Sequence, residues 1–280
     1  MAAGVPRTSV DALLERYDAL LFDAYGVLVH AGGPMPGAAE TLGALERAGK
    51  AFRLVTNDAS ALPRTAAARY RRYGLPLRPE HILSSGQLLK HWFAQHRLQG
   101  ARCAVLGPQD SVRYVEQAGG VVVDVDEAFD ALVIGDESGY PFLQTVDTAL
   151  STLFRSLDRG ETVHLLLPNP DLIFPVGTDG FGFAAGSVAL MFEAALARRY
   201  PDAGLRFLRL GKPEPHLYEH AIAELGTRNL AMIGDQLETD IAGARAAGID
   251  SVLLATGVSP ADLTKVDPAL RPTFWMPSLL

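Results

Sequence analysis

The sequence predicts an α/β protein: a parallel-sheet core interrupted by a second, smaller α/β unit inserted into it. Three observations predict this. First, Leu20-Leu21-Phe22, Phe52-Arg53-Leu54-Val55 and Leu230-Ala231-Met232-Ile233-Gly234 are short apolar runs leading to Asp23, Thr56 and Asp235. Buried parallel strands deliver polar side chains to a sheet edge in this way. Second, helical segments alternate with these runs, the βαβα order of a parallel sheet with right-handed crossovers. Third, another alternation of the same kind begins before the first is complete.

The elements follow in order. Ser9 to Tyr17 predicts a short amphipathic helix with Ser9 as its cap. The first core strand ends at Asp23 and turns through Gly26, and the glycines and prolines of 29–37 predict a loop. Ala38 to Ala48 predicts a helix stopped at Gly49. Strand 52–55 follows, then a helix from Pro63 to Tyr73, with proline suited to the first turn. Ile82-Leu83-Ser84-Ser85 predicts another short strand. The second alternation has strands at Cys103–Leu106, Ala131–Ile134 and Val163–Leu167, with an apolar Val121-Val122-Val123. Its helices span Ser111–Ala118, Phe142–Leu157 and Ser187–Arg199. The core then closes with helix 215–225, strand 230–234, helix 240–247 ended by Gly248, strand 251–254, and an edge strand at Thr273-Phe274-Trp275. The expected division is 1–85 and 206–280 as core, with 86–205 as the insertion.

Composition narrows the function. A 280-residue chain with 48% hydrophobic residues is an ordinary soluble globular sequence. Its formal net charge of −7 argues against a nucleic-acid surface. The densest basic run, Arg69-Tyr70-Arg71-Arg72, reads as a solvated helix face. The single cysteine, Cys103, cannot form an intrachain disulfide, and on a strand it reads as a buried, inert thiol. No apolar run reaches the ~20 residues of a membrane span, and no signal peptide is expected, so the expected compartment is the cytoplasm.

The polar residues at the strand ends carry the chemistry. Asp23, Thr56, Gly211-Lys212-Pro213 and Asp235 with Thr239-Asp240 offer a carboxylate nucleophile, a hydroxyl and an ammonium for a phosphate, and further carboxylates for a divalent ion. That set suits phosphoryl transfer. Mg2+ takes oxygen ligands, typically one or two carboxylates with phosphate and water. Asp23 and Asp235 are the expected carboxylates, and Asp240 is expected behind them, orienting Lys212 or a metal-bound water. Thr56 and the N–H groups after it, at Asn57 and Asp58, are expected on the phosphoryl oxygens, helped by a helix N-terminus near Leu62. Lys212 is expected to neutralise the transferring group. Taken singly, Asp23, Thr56 and Asp235 read as turn or cap residues and Lys212 as part of a solvated loop; the series favours the site.

Two weaker motifs stand outside this set. Gly180-x-Gly182-x-x-Ala185 matches a degenerate dinucleotide fingerprint without a clear preceding strand, and reads as chance. His216 and His220 lack the Glu that a zinc-protease helix carries after its first His, and read as an exposed pair. An oxidoreductase reading would also need a Gly-rich turn after an early strand, and Asp23-Ala24-Tyr25-Gly26 is not one.

In this order, the Gly26-Val27-Leu28 that follows Asp23, Val55-Thr56-Asn57, Gly211-Lys212-Pro213 and Gly234-Asp235-Gln236-Leu237-Glu238-Thr239-Asp240 resemble the haloacid dehalogenase (HAD) superfamily, class IIA. That branch holds NagD-type nucleotide and sugar phosphatases and pyridoxal phosphate phosphatases. The resemblance covers nearly the whole chain. It implies a Rossmann-like core with an inserted C2-type cap, which roofs the site and selects the leaving group. It also implies Mg2+, an aspartyl-phosphate on Asp23, a small phosphate ester as substrate, and pairing of two copies through the cap. The main-chain carbonyl of Tyr25 would be a metal ligand. Asn169-Pro170-Asp171 resembles the family's segment at the cap base, where Asn169 and Asp171 either approach the phosphate or simply form a tight turn.

One position departs from the pattern. The family's first motif is Asp-x-Asp, and its second Asp is the general acid–base; here that residue is Tyr25. A phenol of pKa near 10 suits neither task at neutral pH. Three consequences are open. Turnover is slow or confined to esters with good leaving groups, another group such as Asp58 or His30 substitutes, or the protein binds phospho-metabolites without turning them over.

Overall fold

The computed structural model describes residues 4–280 except 31, 177–179, 256–262, 264 and 265. The chain forms two compact units. One comprises Met1–Thr56, Pro63–Leu83 and Lys212–Leu280, and the other Asn57–Leu62 and Ser84–Gly211. The sequence predicts cuts at 85/86 and 205/206. The units divide at 83/84 and 211/212, and a six-residue piece, 57–62, goes with the second unit.

The first unit is built on a six-stranded sheet ordered Phe274–Met276, Asp250–Leu254, Leu230–Gly234, Ala19–Phe22, Ala51–Thr56 and Ile82–Ser84. The central strand, Ala19–Phe22, is apolar at every position and buried at every position. That is what a strand covered on both faces requires. It pairs parallel with both neighbours, Phe22 opposite Ile233 on one side and Leu54 on the other. This register sets the chemistry. Asp23, Thr56 and Asp235 all emerge at the carboxyl edge of adjacent strands, and the Asp23 N–H still donates to the Ile233 carbonyl at 2.9 Å.

Helix Val10–Arg16 is capped by Ser9, whose hydroxyl accepts from the Ala12 N–H. The expected loop 29–37 contains a short antiparallel pair, Val29–His30 with Gly33–Pro34. The helix expected over 240–247 starts later as α-helix, at Ala242–Ala246, and is preceded by a π-helical turn at Leu237–Ile241. Such turns are rare and concentrate at functional sites.

The second unit carries a five-stranded sheet ordered Leu208–Arg209, His164–Leu167, Ala131–Ile134, Arg102–Leu106 and Val121–Val122, with its pairings parallel. The chain steps outward from Arg102–Leu106 to Val121–Val122, then returns to the other side of its starting strand. This reversal is a topological switch point, where open α/β sheets ordinarily receive ligands. Helices Phe142–Asp158 and Ala185–Arg199 bury Val146, Leu153, Val188 and Phe192 in the same core as Leu132 and Ile134. A helix at Leu88–His96 and an antiparallel pair, Ile173–Val176 with Gly180–Phe183, were not expected from sequence. Gly180 and Gly182 lie in that pair rather than at a phosphate-binding turn. Cys103 is buried, and burial pushes its thiol up to about 12. Among the described residues no helix is long and apolar enough to cross a membrane.

Candidate active site

Within the first unit, four of the residues singled out in the sequence meet. Lys212 is 3% exposed, and its Nζ donates to Asp23 Oδ1 at 2.5 Å and to Asp240 Oδ1 at 2.7 Å. Asp23, Asp235 and Asp240 are all buried, and each offers a carboxylate oxygen within 4.8 Å of the others. Burying a cation and several anions together is tolerated only when they pair and hydrogen-bond. The local fold supplies that pairing.

The π-turn explains Asp240. Both the Asp240 and Ile241 N–H groups reach back to the Gln236 carbonyl, at 3.1 and 3.2 Å. The widened turn swings the Asp240 carboxylate under the strand end. There Oδ2 accepts from the N–H groups of Asp235 and Gln236, at 3.1 and 3.2 Å. Gly234 is required below it, because a Cβ there would overlap Asp240. One Asp240 oxygen thus accepts from Lys212 and the other from two main-chain N–H groups.

Gly26 does the same for Asp235. It sits at φ +84°, and a Cβ on it would fall on the Asp235 carboxylate. Gly26→Ala is therefore expected to displace that carboxylate and strain the turn, costing about 1–3 kcal/mol. Thermal melts with and without Mg2+ check it: the variant should lose most of the stabilisation that the ion gives the parent.

Electrostatics follow from the burial. Desolvation pushes the Asp23 carboxyl up to about 7, against the pull of the Lys212 ammonium, and Asp240 adds like-charge repulsion. A divalent cation fits such a group of hard oxygen donors: two or three carboxylates in mutual reach, with a glycine keeping room for one of them. Tyr25 is half-buried beside this group in the chain, bridging to Val29. Thr56 is buried at the last position of its strand.

Of the other predicted residues, Asn57, Asp58, Asn169 and Asp171 lie in the second unit. Asp58 Oδ1 accepts from the Ser60 N–H at 2.9 Å and from its hydroxyl at 2.5 Å, a turn-forming role. Asn57 donates from Nδ2 to Asp171 Oδ1 at 2.8 Å, and the Asp171 N–H donates to Asn169 Oδ1 at 3.1 Å. The Leu62 N–H, near the helix N-terminus expected to help hold a phosphate, donates to Asp110 Oδ2 at 2.9 Å. Asp110 was not picked out from sequence; its position at the start of helix Gln109–Gln117 was the only signal. His30 is exposed, and its Nδ1 accepts from the Gly32 N–H.

Comparison with known proteins places this chain in a class. Residues 20–121 match the haloacid dehalogenase-like hydrolase family, and residues 209–280 match a second HAD-hydrolase-like model. The chain is 30% identical to human chronophin over 263 residues, covering 88% of this chain and 84% of chronophin. It is 29% identical over 241 residues to a dihydroxyacetone phosphatase of Corynebacterium glutamicum, covering 85% and 81%. Among solved structures, a "possible sugar phosphatase, HAD superfamily" from Cytophaga hutchinsonii superposes with a TM-score of 0.86 at 30% identity over 99% of both chains. A glycerol phosphate phosphatase from Mycobacterium tuberculosis, in complex with magnesium, gives a TM-score of 0.81 at 27% identity, covering 95% of this chain and 77% of that one. The chain belongs to the haloacid dehalogenase-like hydrolases, in their class IIA branch, and is an enzyme of the phosphoric monoester hydrolase type.

Proposed function

We propose that this protein is a Mg2+-dependent phosphatase of small phosphorylated metabolites, working through an aspartyl-phosphate on Asp23. The observation that carries the reading is the buried Lys212 ammonium held between Asp23 and Asp240, with Asp235 in reach of both carboxylates. Asp23 and Asp235, with the Tyr25 carbonyl, would hold the ion, which supplies positive charge against the phosphoryl oxygens. Asp23 attacks phosphorus, the bond to the ester oxygen breaks with its electron pair, and the leaving alkoxide takes a proton from solvent. Water then attacks phosphorus and gives a proton to solvent, the bond from phosphorus to the Asp23 oxygen breaks, and inorganic phosphate and the free carboxylate result. Thr56 would steady the phosphoryl oxygens. Lys212 offsets their charge and lowers the cost of keeping Asp23 ionised. Among phosphate esters, three-carbon compounds such as dihydroxyacetone phosphate and glycerol phosphate are favoured, because similar proteins are named for them. Sugar phosphates and nucleotides follow. The free, inert Cys103 accords with a reducing cytoplasm.

The test is turnover of a panel of three-carbon, sugar and nucleotide monophosphates, with Mg2+ or with EDTA. Mg2+-dependent release of phosphate supports the reading. Mg2+-dependent binding without release supports the second reading, a phospho-metabolite binder, which the tyrosine at position 25 favours. Tyr25→Asp is expected to raise kcat by about 10²-fold on esters with poor leaving groups, and much less on nitrophenyl phosphate. A variant that binds Mg2+ yet gains nothing places the acid–base role elsewhere.

We also infer that two copies pair through the second unit. The Ile173–Val176 and Gly180–Phe183 ribbon leaves Phe181 and Phe183 63% and 74% exposed, with Leu172 and Ile173 about half exposed. A lone two-stranded ribbon is marginal in water, and two ribbons joined about a two-fold axis cover each other's apolar faces. Light scattering should give a dimer mass for the parent protein and a monomer mass for Phe181→Asp with Phe183→Asp.

A further inference from the structure

Asp171 and Asn57 are joined by a contact that the proposed reaction does not use. Asn57 is buried and immediately follows Thr56 in the chain. Three stretches of the second unit fasten it. The Ser85 hydroxyl donates to its main-chain carbonyl at 2.8 Å. Its side-chain Nδ2 donates to Asp171 Oδ1 at 2.8 Å. Its Oδ1 lies against Gly211, where a Cβ would overlap it and would come within 2.6 Å of the Pro168 carbonyl. Gly211 in turn immediately precedes Lys212. So the residue after the predicted phosphate hydroxyl and the residue before the predicted lysine touch one another, and Asp171 fixes the first of them.

Asp171 is itself firmly held. Its N–H donates to Asn169 Oδ1 at 3.1 Å, and its carbonyl accepts from the Gly186 N–H at 2.9 Å, in the first turn of helix Ala185–Arg199. Gly186 has no room for a Cβ against the Pro170 and Asp171 carbonyls. A fifteen-residue helix therefore supports Asp171, which supports Asn57. A carboxylate also has the wrong sign to hold a phosphate ester, whereas it is a strong acceptor for a buried amide.

We propose that Asp171 is a positioning residue: through Asn57 it sets the two chain crossings that carry Thr56 and Lys212, and it makes no contact with substrate. The proposal rests on the phosphatase reading above for its catalytic consequence, but its structural half stands without it. Small misplacement of groups around a reacting centre costs about 10²-fold in rate.

The experiment compares Asp171→Ala, Asp171→Asn, Asn57→Asp and the exchanged pair Asn57→Asp with Asp171→Asn, all with Mg2+, after circular dichroism melts confirm folding. Each is assayed on a three-carbon, a sugar and a nitrophenyl phosphate, and by amide hydrogen exchange over 56–62 and 209–213. Asp171→Ala and Asn57→Asp should lower kcat about 10- to 100-fold, by the same factor on all three esters. Asp171→Asn keeps an acceptor and should stay within about threefold of the parent. The exchanged pair restores one amide–carboxylate bond and should recover most of the loss, the non-additivity expected of groups in contact. Exchange should quicken in both stretches in Asp171→Ala. Losses that differ among esters would mark a substrate contact and overturn the proposal. So would an exchanged pair no better than its two single variants combined, or unchanged exchange in Asp171→Ala. If the parent hydrolyses none of the esters, the phosphatase reading fails, and hydrogen exchange still decides the pair.

Discussion

Asp23→Asn is expected to abolish ester hydrolysis, lowering kcat by at least ~10³-fold, the scale on which loss of a nucleophile is felt. The amide keeps the shape of the side chain and leaves Lys212 paired with Asp240 at 2.7 Å, so the fold should persist. A second measurement makes this prediction sharper. Burial raises the Asp23 carboxyl from its ordinary value of 3.8 to about 7 in the folded protein. The folded state therefore holds this proton more tightly than the unfolded chain, and stability declines as pH rises between those values. In EDTA, the melting temperature of the parent should fall as pH rises from about 4 to 7, and the Asn variant should lack that part of the slope. Residual turnover within tenfold of the parent would remove Asp23 from the nucleophile's role.

Lys212→Met is expected to be the most destabilising single change in the site. The ammonium is buried between two buried carboxylates. Removing it leaves the two buried carboxyl groups without their counter-charge, a change that typically costs about 3–5 kcal/mol. In a chain of this size that is about 6–20 °C in melting temperature, at 2–4 °C per kcal/mol. The Asp23 carboxyl loses the group that pulls its pKa down, so its proton is retained to higher pH and hydrolysis at neutral pH should vanish. Mg2+ offers the carboxylates another counter-charge. Calorimetry should therefore find a larger Mg2+-induced rise in melting temperature in Lys212→Met than in the parent. A variant that melts with the parent in EDTA would contradict the buried-pair account.

The residues behind these predictions differ in how far the sequence alone reveals them. The strands leading to Asp23 and Asp235 were legible because a fully buried strand has to be apolar throughout, and a polar residue at its end stands out; the strand ending at Thr56 carries Arg53 and was legible from the apolar residues around it. Lys212 was legible only as a member of a series, since a lysine between Gly and Pro has no periodic signature. The helix at Leu88–His96 escaped notice although Leu88, Leu89, Trp92 and Phe93 fall on one helical face. Its start is set by Ser84 and Gln87, whose side chains cap each other's main-chain N–H groups, a signal easily taken for the end of a strand. The ribbon at Ile173–Val176 and Gly180–Phe183 left no alternation to read, because most of its described side chains are exposed. The π-turn at Leu237–Ile241 has no sequence code that separates it from an α-helix, yet it directs the Asp240 carboxylate. The partners of Asn57 and Asp110 depend on pairings 114 and 48 residues apart, which no local pattern contains.

The allegiance of residues 57–62 bears on how such proteins diversify. At the switch point of the second sheet, Ser111 packs against Gly107 and Gly135, and its hydroxyl donates to the Ala59 carbonyl at 2.8 Å. Tyr114 donates to the Ala61 carbonyl at 2.8 Å. The crevice that in other α/β sheets would accept a cofactor is plugged by the protein's own backbone. Recombination, natural or in the laboratory, cannot therefore treat 84–211 as an interchangeable cassette. A graft of that stretch from a homologue must bring its own version of the hexapeptide, or the incoming serine, tyrosine and aspartate will find a foreign plug.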